Sequence, residues 1–315
     1  MSATPGRLRV RSLAKINLDL RVIRKRADGF HELRTIFQTI SLADTIGIEY
    51  QRGRTRVELK SNFNIPGNLI VQAADSLMKR LRTTGSLRFD LLKRIPLGGG
   101  LGGGSSDAAA VLLALPVLLG KSLPMEDLME LAAKLGSDVP FFLIGGTAAG
   151  LGRGTELYPL PAAPSRPGLL IASGVHSSTA AAYAALQRKM LPDASTTGMI
   201  NEFQAAAWDI TRTWTNDFEA VVFRQYPQLK SIKGKLLKLG AWRAMMTGSG
   251  SALFGLFPSR ELRDRAADWF RKEFSSYQVS PFAMVTRGRY QSLWRRQLEL
   301  SSGNRTWPPQ DRYAR

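Results

Sequence analysis

The first strand-like segment of the chain alternates between apolar and polar side chains. From residue 7 to residue 23 one set of alternate positions is apolar apart from Ser12, and the other carries charged or amide groups up to Arg21, with Leu13 as the exception. A period of two residues is typical of a β-strand. The pattern therefore predicts a strand on which Lys15, Asn17 and Asp19 share one face.

Strand-like and helix-like segments are mixed along the rest of the chain. Alternation predicts strands at residues 33–42, 44–50, 55–60, 87–95, 169–172, 242–247, 252–257 and 278–286. Apolar residues at helical spacing predict helices at 68–82, 105–119, 125–135, 179–190, 218–239 and 259–274, and a further helix that begins within 136–143. A proline-rich connector at 161–167 separates two such mixtures. We therefore expect an α+β chain of two domains, residues 1–162 and 168–286, and a poorly ordered basic tail, 287–315.

Composition narrows the function classes. The chain has 315 residues, no cysteine and two histidines, which excludes disulfides, thiol chemistry and a histidine metal cluster. Neither a signal peptide nor a membrane-crossing apolar run is present, so a cytoplasmic protein is expected. The net charge of +19 favours an anionic partner such as a nucleotide or a phosphorylated metabolite. Nucleic-acid-binding motifs are missing, which argues against nucleic acid, and the sequence leaves monomer and homodimer open.

A glycine-rich loop is the most distinctive motif. Residues 98–104 contain six glycines in seven positions, and two serines and an alanine-rich helix follow. Glycines allow close approach to the backbone, and N–H groups at a helix start attract phosphate. The sequence therefore predicts a nucleotide phosphate site formed by Pro96, Leu97, Gly98, Gly99, Gly100, Leu101, Gly102, Gly103, Gly104, Ser105 and Ser106.

Known nucleotide loops of other types fit this loop poorly. Gly98-x-Gly100-x-x-Gly103 matches the dinucleotide fingerprint, but Glu126 and Asp127, at the distance of the required acid, lie in a predicted helix. A Gly-Lys-Ser/Thr sequence does not follow, which excludes a Walker A loop. The catalytic and metal-binding motifs of protein kinases are absent as well.

Five motifs in order make the chain resemble the GHMP kinases, the superfamily of galactokinase, homoserine kinase and mevalonate kinase. They are the glycine loop and the segments 14–18, 26–33, 136–142 and 246–251. The segment 26–33 is similar to the corresponding segment of one group of GHMP kinases. Those enzymes use ATP to phosphorylate the 2-hydroxyl of 4-diphosphocytidyl-2-C-methyl-D-erythritol, giving the 2-phosphate and ADP in non-mevalonate isoprenoid synthesis. The resemblance implies a two-domain fold, an active site between the domains, and ATP and Mg²⁺ as cofactors.

The same resemblance assigns catalysis to Lys15 and Asp138. A lysine beside the acceptor oxygen favours its alkoxide character and attracts the γ-phosphate. Asp138 would take the hydroxyl proton or mainly orient the hydroxyl, and both roles stay open because phosphoryl transfer needs little base. For Mg²⁺ the sequence names no protein ligand, and Ser106 and water alone are both open.

Further site residues follow from family position. Phe30 and His31 would read cytosine, by stacking and by hydrogen bonds to the polar edge of the base. The family usually has tyrosine where this chain has Phe30. Asn17 and Thr179 are expected at the substrate. Two further expected neighbours, of the adenine or of its loop, are Asn68 and Lys93.

Two other functions remain as alternatives. One is a different small-molecule kinase of the same superfamily, against which the Asp28-Gly29-Phe30-His31 block argues. The other is a basic nucleic-acid-binding protein that has kept the fold. The presence of both Lys15 and Asp138 argues against this second alternative.

Overall fold

Two β-sheets form the framework of the molecule. The computed structural model describes residues 6–186, 214–299 and 307–309. The first sheet contains β1 (Gly6–Lys25), β2 (His31–Gln51), β3 (Arg56–Ser61), β4 (Ser86–Leu92), β5 (Thr147–Gly152) and β6 (Glu156–Pro159). Its order is β3-β4-β2-β5-β6, with β1 paired to β2. The second sheet contains β7 (Pro167–Ala172), β8 (Arg243–Met246), β9 (Leu253–Leu256) and β10 (Gln278–Ala283) in the order β10-β7-β9-β8.

Helices cover the sheets. Those of the first half are α1 (Leu69–Arg80), α2 (Gly103–Leu118), α3 (Met125–Leu135) and α4 (Val139–Ile144). Those after β7 are α5 (Thr179–Ala185), α6 (Glu219–Gln225), α7 (Pro227–Lys238), α8 (Arg260–Glu273) and α9 (Arg287–Gln297). α2 is the central helix, since every residue from Ser106 to Pro116 is buried. Within the described ranges no helix has the length and apolarity needed to cross a membrane.

Most predicted elements are confirmed within a few residues. The strands predicted at 33–42 and 44–50 form one strand, β2, and the helix predicted at 218–239 is two helices that meet at Pro227. The helix predicted at 179–190 is helical to residue 185, and residues 187–190 lie outside the described residues. β5 was missed because its glycine and alanine residues have no readable period, and β6 was missed because its four residues are too few to show one.

A β-bulge in β1 corrects the predicted assignment of faces. Val10 and Leu13 pack into the core beneath α2, whereas Ala14 and Ile16 pack into a second core that faces the other sheet. The register of β1 against β2 shifts between Leu13 and Lys15. An extra residue reverses which side chains face each way. The exception at Leu13 in the alternation was the trace of this bulge.

The prediction of a poorly ordered tail from residue 287 is wrong for its first part. Residues 287–297 form α9, whose Tyr290 and Trp294 are buried against the first half of the chain. The Tyr290 hydroxyl donates a hydrogen bond to the Phe142 carbonyl, at 2.5 Å. The sequence did not predict this helix because few of its residues are apolar and many are arginines. α9 therefore supports α4, the helix that begins beside Asp138.

Beyond α9, we expect Trp307→Ala to lower the free energy of unfolding by about 2–4 kcal/mol, because a large side chain and a partly buried hydrogen bond are lost. The Trp307 indole N–H donates to the Leu143 carbonyl at 2.9 Å, and its ring meets Tyr290 edge to face. Urea unfolding would measure the change, with the exposed Arg289→Ala as control. Equal stability of the two variants would show that Trp307 does not support the body.

Candidate functional site

A cavity of about 840 Å³ lies where elements of both halves of the chain meet. β1, β2, the glycine loop, the start of α4, α5 and the loop after β8 all contribute to its wall. Its charged residues are Lys15, Lys25, Arg153 and Asp138, so cations outnumber the single carboxylate. This balance suits an anionic substrate.

The glycine loop borders that cavity and forms a second, smaller one of about 240 Å³. Gly98, Gly100 and Gly102 have φ values of +66°, +74° and +67°, a region that L side chains rarely adopt. The loop then enters α2, where backbone N–H groups lack helical partners and attract anions. Both cavities share Gly100, Gly102 and Ser105. A bound triphosphate could therefore extend from the smaller cavity to the larger one.

The loop after β8 packs directly on the glycine loop. A Cβ on Gly100 would lie 2.2 Å from the Thr247 carbonyl oxygen, so only glycine permits this backbone contact. Asn216 holds the second loop, because its Nδ2 donates to the carbonyls of Met246 and Gly248 at 2.8 Å each. This contact explains the small residues at 247–251, and it fixes the phosphate loop from behind.

Lys15 and Asp138 meet where the two cavities join. Lys15 Nζ lies 3.3 Å from Asp138 Oδ2, and the lysine side chain is 4% exposed. Asp138 stands at the start of α4 but makes no capping hydrogen bond with its side chain. Its carboxylate is one-third exposed and turns toward the cavity. The pair is thus neither a helix cap nor a solvated strand lysine, the two ordinary roles for these residues.

Asn17 holds Lys15 in place. Its Oδ1 accepts from Lys15 Nζ at 2.7 Å and from the Gly248 N–H at 3.0 Å, while its Nδ2 donates to Thr35 Oγ1 at 2.7 Å. The side chain is buried, and these bonds occupy most of its polar capacity. Asn17 was expected at the substrate; it lines the cavity, but its amide links β1 to the loop after β8.

Aromatic side chains form the far end of the larger cavity. Phe30 is 49% exposed, with the Arg153 guanidinium 3.5 Å from its ring centroid. The His31 ring stacks on Tyr183, with centroids 4.6 Å apart. Burial and the Lys25 charge lower the pKa of His31, so its imidazole is neutral at pH 7 and both donates and accepts hydrogen bonds. Such a surface can stack on a base and read its edge.

The remaining predicted residues lie around the two cavities. Thr179 begins α5, and its hydroxyl is 2.8 Å from that of Ser249. Asn68 caps α1 by accepting the Ile70 N–H at 3.0 Å, which places α1 beside the smaller cavity. Lys93 lines the smaller cavity, but its ammonium binds two buried carboxylates. It therefore supports the loop from beneath.

Several residues of the cavity wall were not predicted from the sequence, among them Tyr183, Arg153 and Ser249. Tyr183 lies four residues after Thr179, and this spacing places both on one face of α5. Arg153 stands between Gly152 and Gly154, and Ser249 between two other glycines. The glycines on both sides of Arg153 and of Ser249 indicate tight turns, but they do not indicate that these turns lie at the cavity.

A protein-built metal site is absent from residues 6–186, 214–299 and 307–309, where no group of three acidic or histidine side chains converges. The buried Ser106 hydroxyl donates its proton to the Leu13 carbonyl at 2.6 Å, but its lone pairs are not used by this bond, so Ser106 and water both stay open as magnesium ligands. Asp138 is the acidic side chain of the larger cavity. This donor set fits Mg²⁺, which is usually held by few carboxylates together with phosphate and water oxygens.

Comparisons with known proteins agree with this geometry. The family model for the GHMP kinases N terminal domain matches residues 68–146, and the model described as GHMP kinases C terminal matches 198–276. A 4-diphosphocytidyl-2-C-methyl-D-erythritol kinase from Solibacter usitatus is 51% identical over 99% of both chains. One from Citrifermentans bemidjiense is 39% identical over 83% of this chain and 93% of its own length.

Solved structures support the same grouping. A crystal structure of a 4-(cytidine 5'-diphospho)-2C-methyl-D-erythritol kinase superposes with a TM-score of 0.74 at 35% identity, covering 88% of this chain and 99% of the other. A homoserine kinase from Cytophaga hutchinsonii gives a TM-score of 0.66 at 18% identity, covering 91% of this chain and 96% of the other. At that identity the second likeness concerns the fold alone. The α+β GHMP kinase fold that the sequence predicted is confirmed, and the structure shows that it contains two sheets.

Proposed function

The chain belongs to the GHMP kinase family, among its 4-diphosphocytidyl-2-C-methyl-D-erythritol kinases, and from this premise we infer how its residues divide the reaction. The enzyme transfers a phosphoryl group from ATP to the 2-hydroxyl of that substrate, in the non-mevalonate route to isoprenoid precursors. The observation that carries the assignment of roles is the Lys15–Asp138 pair at the junction of a phosphate-binding cavity and a base-reading cavity.

Positioning and charge stabilisation supply most of the catalysis in such a transfer. The glycine loop holds the triphosphate through its N–H groups, and the substrate alcohol lies against Lys15. The ammonium stabilises the developing oxyanion and attracts the γ-phosphate. As the oxygen–phosphorus bond forms and the bond to ADP breaks, the hydroxyl proton passes to the Asp138 carboxylate.

Mg²⁺ would neutralise the phosphate oxygens when ATP is bound. Phosphate and water oxygens would hold it, which leaves the Asp138 carboxylate to the substrate hydroxyl. The excess of cations in the larger cavity complements the diphosphate of the substrate. Cytoplasmic location and the choice between monomer and homodimer stay predictions from the sequence.

A kinase assay separates this function from its alternatives. ATP turnover would be measured with the cytidine substrate, with mevalonate and with homoserine, and RNA binding would be titrated against salt. We expect turnover with the cytidine substrate alone. Turnover with mevalonate or homoserine would reassign the enzyme within the superfamily. Salt-dependent RNA binding without kinase activity would favour the nucleic-acid alternative.

For specificity, we expect Phe30→Ala to weaken substrate binding about 5- to 150-fold, because one base stack contributes about 1–3 kcal/mol. ATP binding should not change. Phe63→Ala is a matched control, because Phe63 is also 49% exposed and lies outside the cavity wall. Isothermal titration with the cytidine substrate would measure both variants. An equal loss of substrate affinity in the two variants would show that the cytosine base does not bind at Phe30.

His31→Ala should reduce the preference for cytidine over uridine. In the unmodified enzyme, uracil would leave the His31 imidazole without a hydrogen-bond partner, and this penalty disappears when the imidazole is removed. Competition between cytidine- and uridine-diphosphate substrates would measure this preference. The unmodified enzyme should discriminate clearly between them. An unmodified enzyme that used both substrates equally would contradict the cytosine-reading role of this end of the cavity.

A further inference from the structure

A buried ionic cluster lies directly beneath the glycine loop. Lys93 Nζ binds Asp44 Oδ2 at 2.5 Å and Asp107 Oδ2 at 2.8 Å, and all three side chains are at most 2% exposed. A Cβ on Gly103 would lie 3.0 Å from Lys93 Nζ, so the ammonium supports the loop at the residue where α2 begins. The catalytic roles assigned above do not use this cluster.

The cluster holds one cation for two carboxylates. Asp44 has the larger number of hydrogen-bond partners, because its Oδ1 also accepts the N–H groups of Arg94 at 2.5 Å and Ile95 at 2.8 Å. Asp107 has one further partner, the Ser12 hydroxyl at 2.6 Å. With both carboxylates ionised, the cluster carries a net negative charge under a loop that binds phosphate.

Other elements packed on α2 do not supply a compensating charge in the core. The residues of α1, α3 and α4 that are buried are all apolar. Lys93 and Asp44 are thus the charged side chains that face Asp107, from the segment after β4 and from β2. The other ion pair at the loop, Lys15 with Asp138, faces Gly102 and is neutral overall.

We propose that Asp107 takes up a proton when the triphosphate enters the glycine loop, so that nucleotide binding and protonation of this positioning residue are coupled. The inference rests on the proposed use of the loop for ATP. A neutral Asp107 leaves Lys93 and Asp44 as a balanced pair beneath the phosphates. Its hydrogen bonds survive protonation, because the Ser12 hydroxyl can accept a hydrogen bond as well as donate one.

Electrostatics support the direction of the coupling. Burial, opposed by Lys93, raises the pKa of Asp107 to about 7. A nearby polyanion raises the pKa of a carboxyl group further. A group whose pKa is higher in the complex binds its proton with the ligand, so nucleotide affinity is greatest below pH 7 and falls as the pH rises through the pKa of the free protein.

Calorimetry of nucleotide binding tests the proposal without turnover. The intact protein would be titrated with adenylyl imidodiphosphate and Mg²⁺ at pH 7.5, in two buffers of different ionisation enthalpy. We expect an uptake of about half a proton per nucleotide, for a pKa that the bound ligand raises by about one unit. The affinity should fall about three- to tenfold more between pH 6.5 and pH 8.5 than in the variant Asp107→Asn.

Asp107→Asn is the neutral mimic and the decisive variant. It should bind the nucleotide with no such proton uptake, because its amide can donate to Ser12 and accept from Lys93 in both states. Comparison with this variant also removes the titration of the nucleotide itself. Asp90→Asn, at an exposed carboxylate on β4, is the control and should keep the uptake of the unmodified protein.

The outcomes separate the two levels of the argument. Nucleotide binding with the same proton uptake and pH dependence in the unmodified protein and in Asp107→Asn would overturn the coupling. A complete absence of nucleotide binding by the folded, unmodified protein would instead overturn the use of the loop for ATP. A purely structural role for Asp107 would change stability or affinity equally at every pH, which also contradicts the proposal.

Discussion

Asp138→Asn is expected to lower kcat by a factor of about 10²–10⁴, the range for loss of a group that moves or orients a proton. The amide keeps the size of the carboxylate but cannot accept the hydroxyl proton. Because Asp138 makes no capping bond with its side chain, the start of α4 should keep its geometry. Steady-state kinetics would give kcat, and the KM values for ATP and for the alcohol should change little.

Lys15→Ala should lower kcat to a similar extent, because the cation at the acceptor oxygen is lost. Glu130→Gln is a suitable control, since Glu130 belongs to an exposed pair with Lys134 and is part of neither cavity wall. Circular dichroism would confirm that each variant is folded. A folded Asp138 or Lys15 variant with nearly normal kcat would remove that residue from the mechanism.

Gly104→Val is expected to abolish measurable nucleotide binding, an effect of at least about 100-fold in affinity, because a side chain would occupy the space of the phosphates. A Cβ on Gly104 would have Leu69 Cδ1 as its nearest neighbour, at 3.9 Å, and both residues line the smaller cavity. The substitution therefore projects into the cavity and leaves the packed core alone. Nucleotide affinity by calorimetry is the measurement.

Gly288→Val is the matched control for that variant. Gly288 is the second residue of α9, as Gly104 is of α2, and a Cβ there would meet nothing within 4 Å. The control should bind the nucleotide normally. Gly102 would be a poor probe, because a Cβ there would lie 2.8 Å from the Phe142 ring and would disturb the fold. Normal binding by a folded Gly104→Val protein would refute the phosphate-site assignment.

Local pattern was sufficient for most elements and for the chemistry of the loop. Helical spacing predicted residues 125–135, which form α3 over the same residues. The family resemblance implied that Lys15 lies beside Asp138, and the structure places Lys15 Nζ 3.3 Å from Asp138 Oδ2. These predictions were within reach because periodicity, glycine runs and motif order are properties of short segments.

Elements without a local signal could not be predicted in this way. β5 is built of glycine, alanine, threonine and leucine, and its strand conformation comes from pairing with β2 on one side and β6 on the other. α9 forms a helix because Tyr290 and Trp294 find a buried site on the first half of the chain. In both cases the partner is distant in sequence, so no window of the sequence contains the cause.

By itself, the sequence determined the order of most elements, the glycine loop with its phosphate chemistry, and the family to which the chain belongs. Only the tertiary structure decided how those residues are used: Asn17 holds Lys15, and Lys93 pairs with Asp44 and Asp107 beneath the loop. The reason is physical. A buried polar group must find partners, and which groups can serve is fixed by the topology that brings distant strands together.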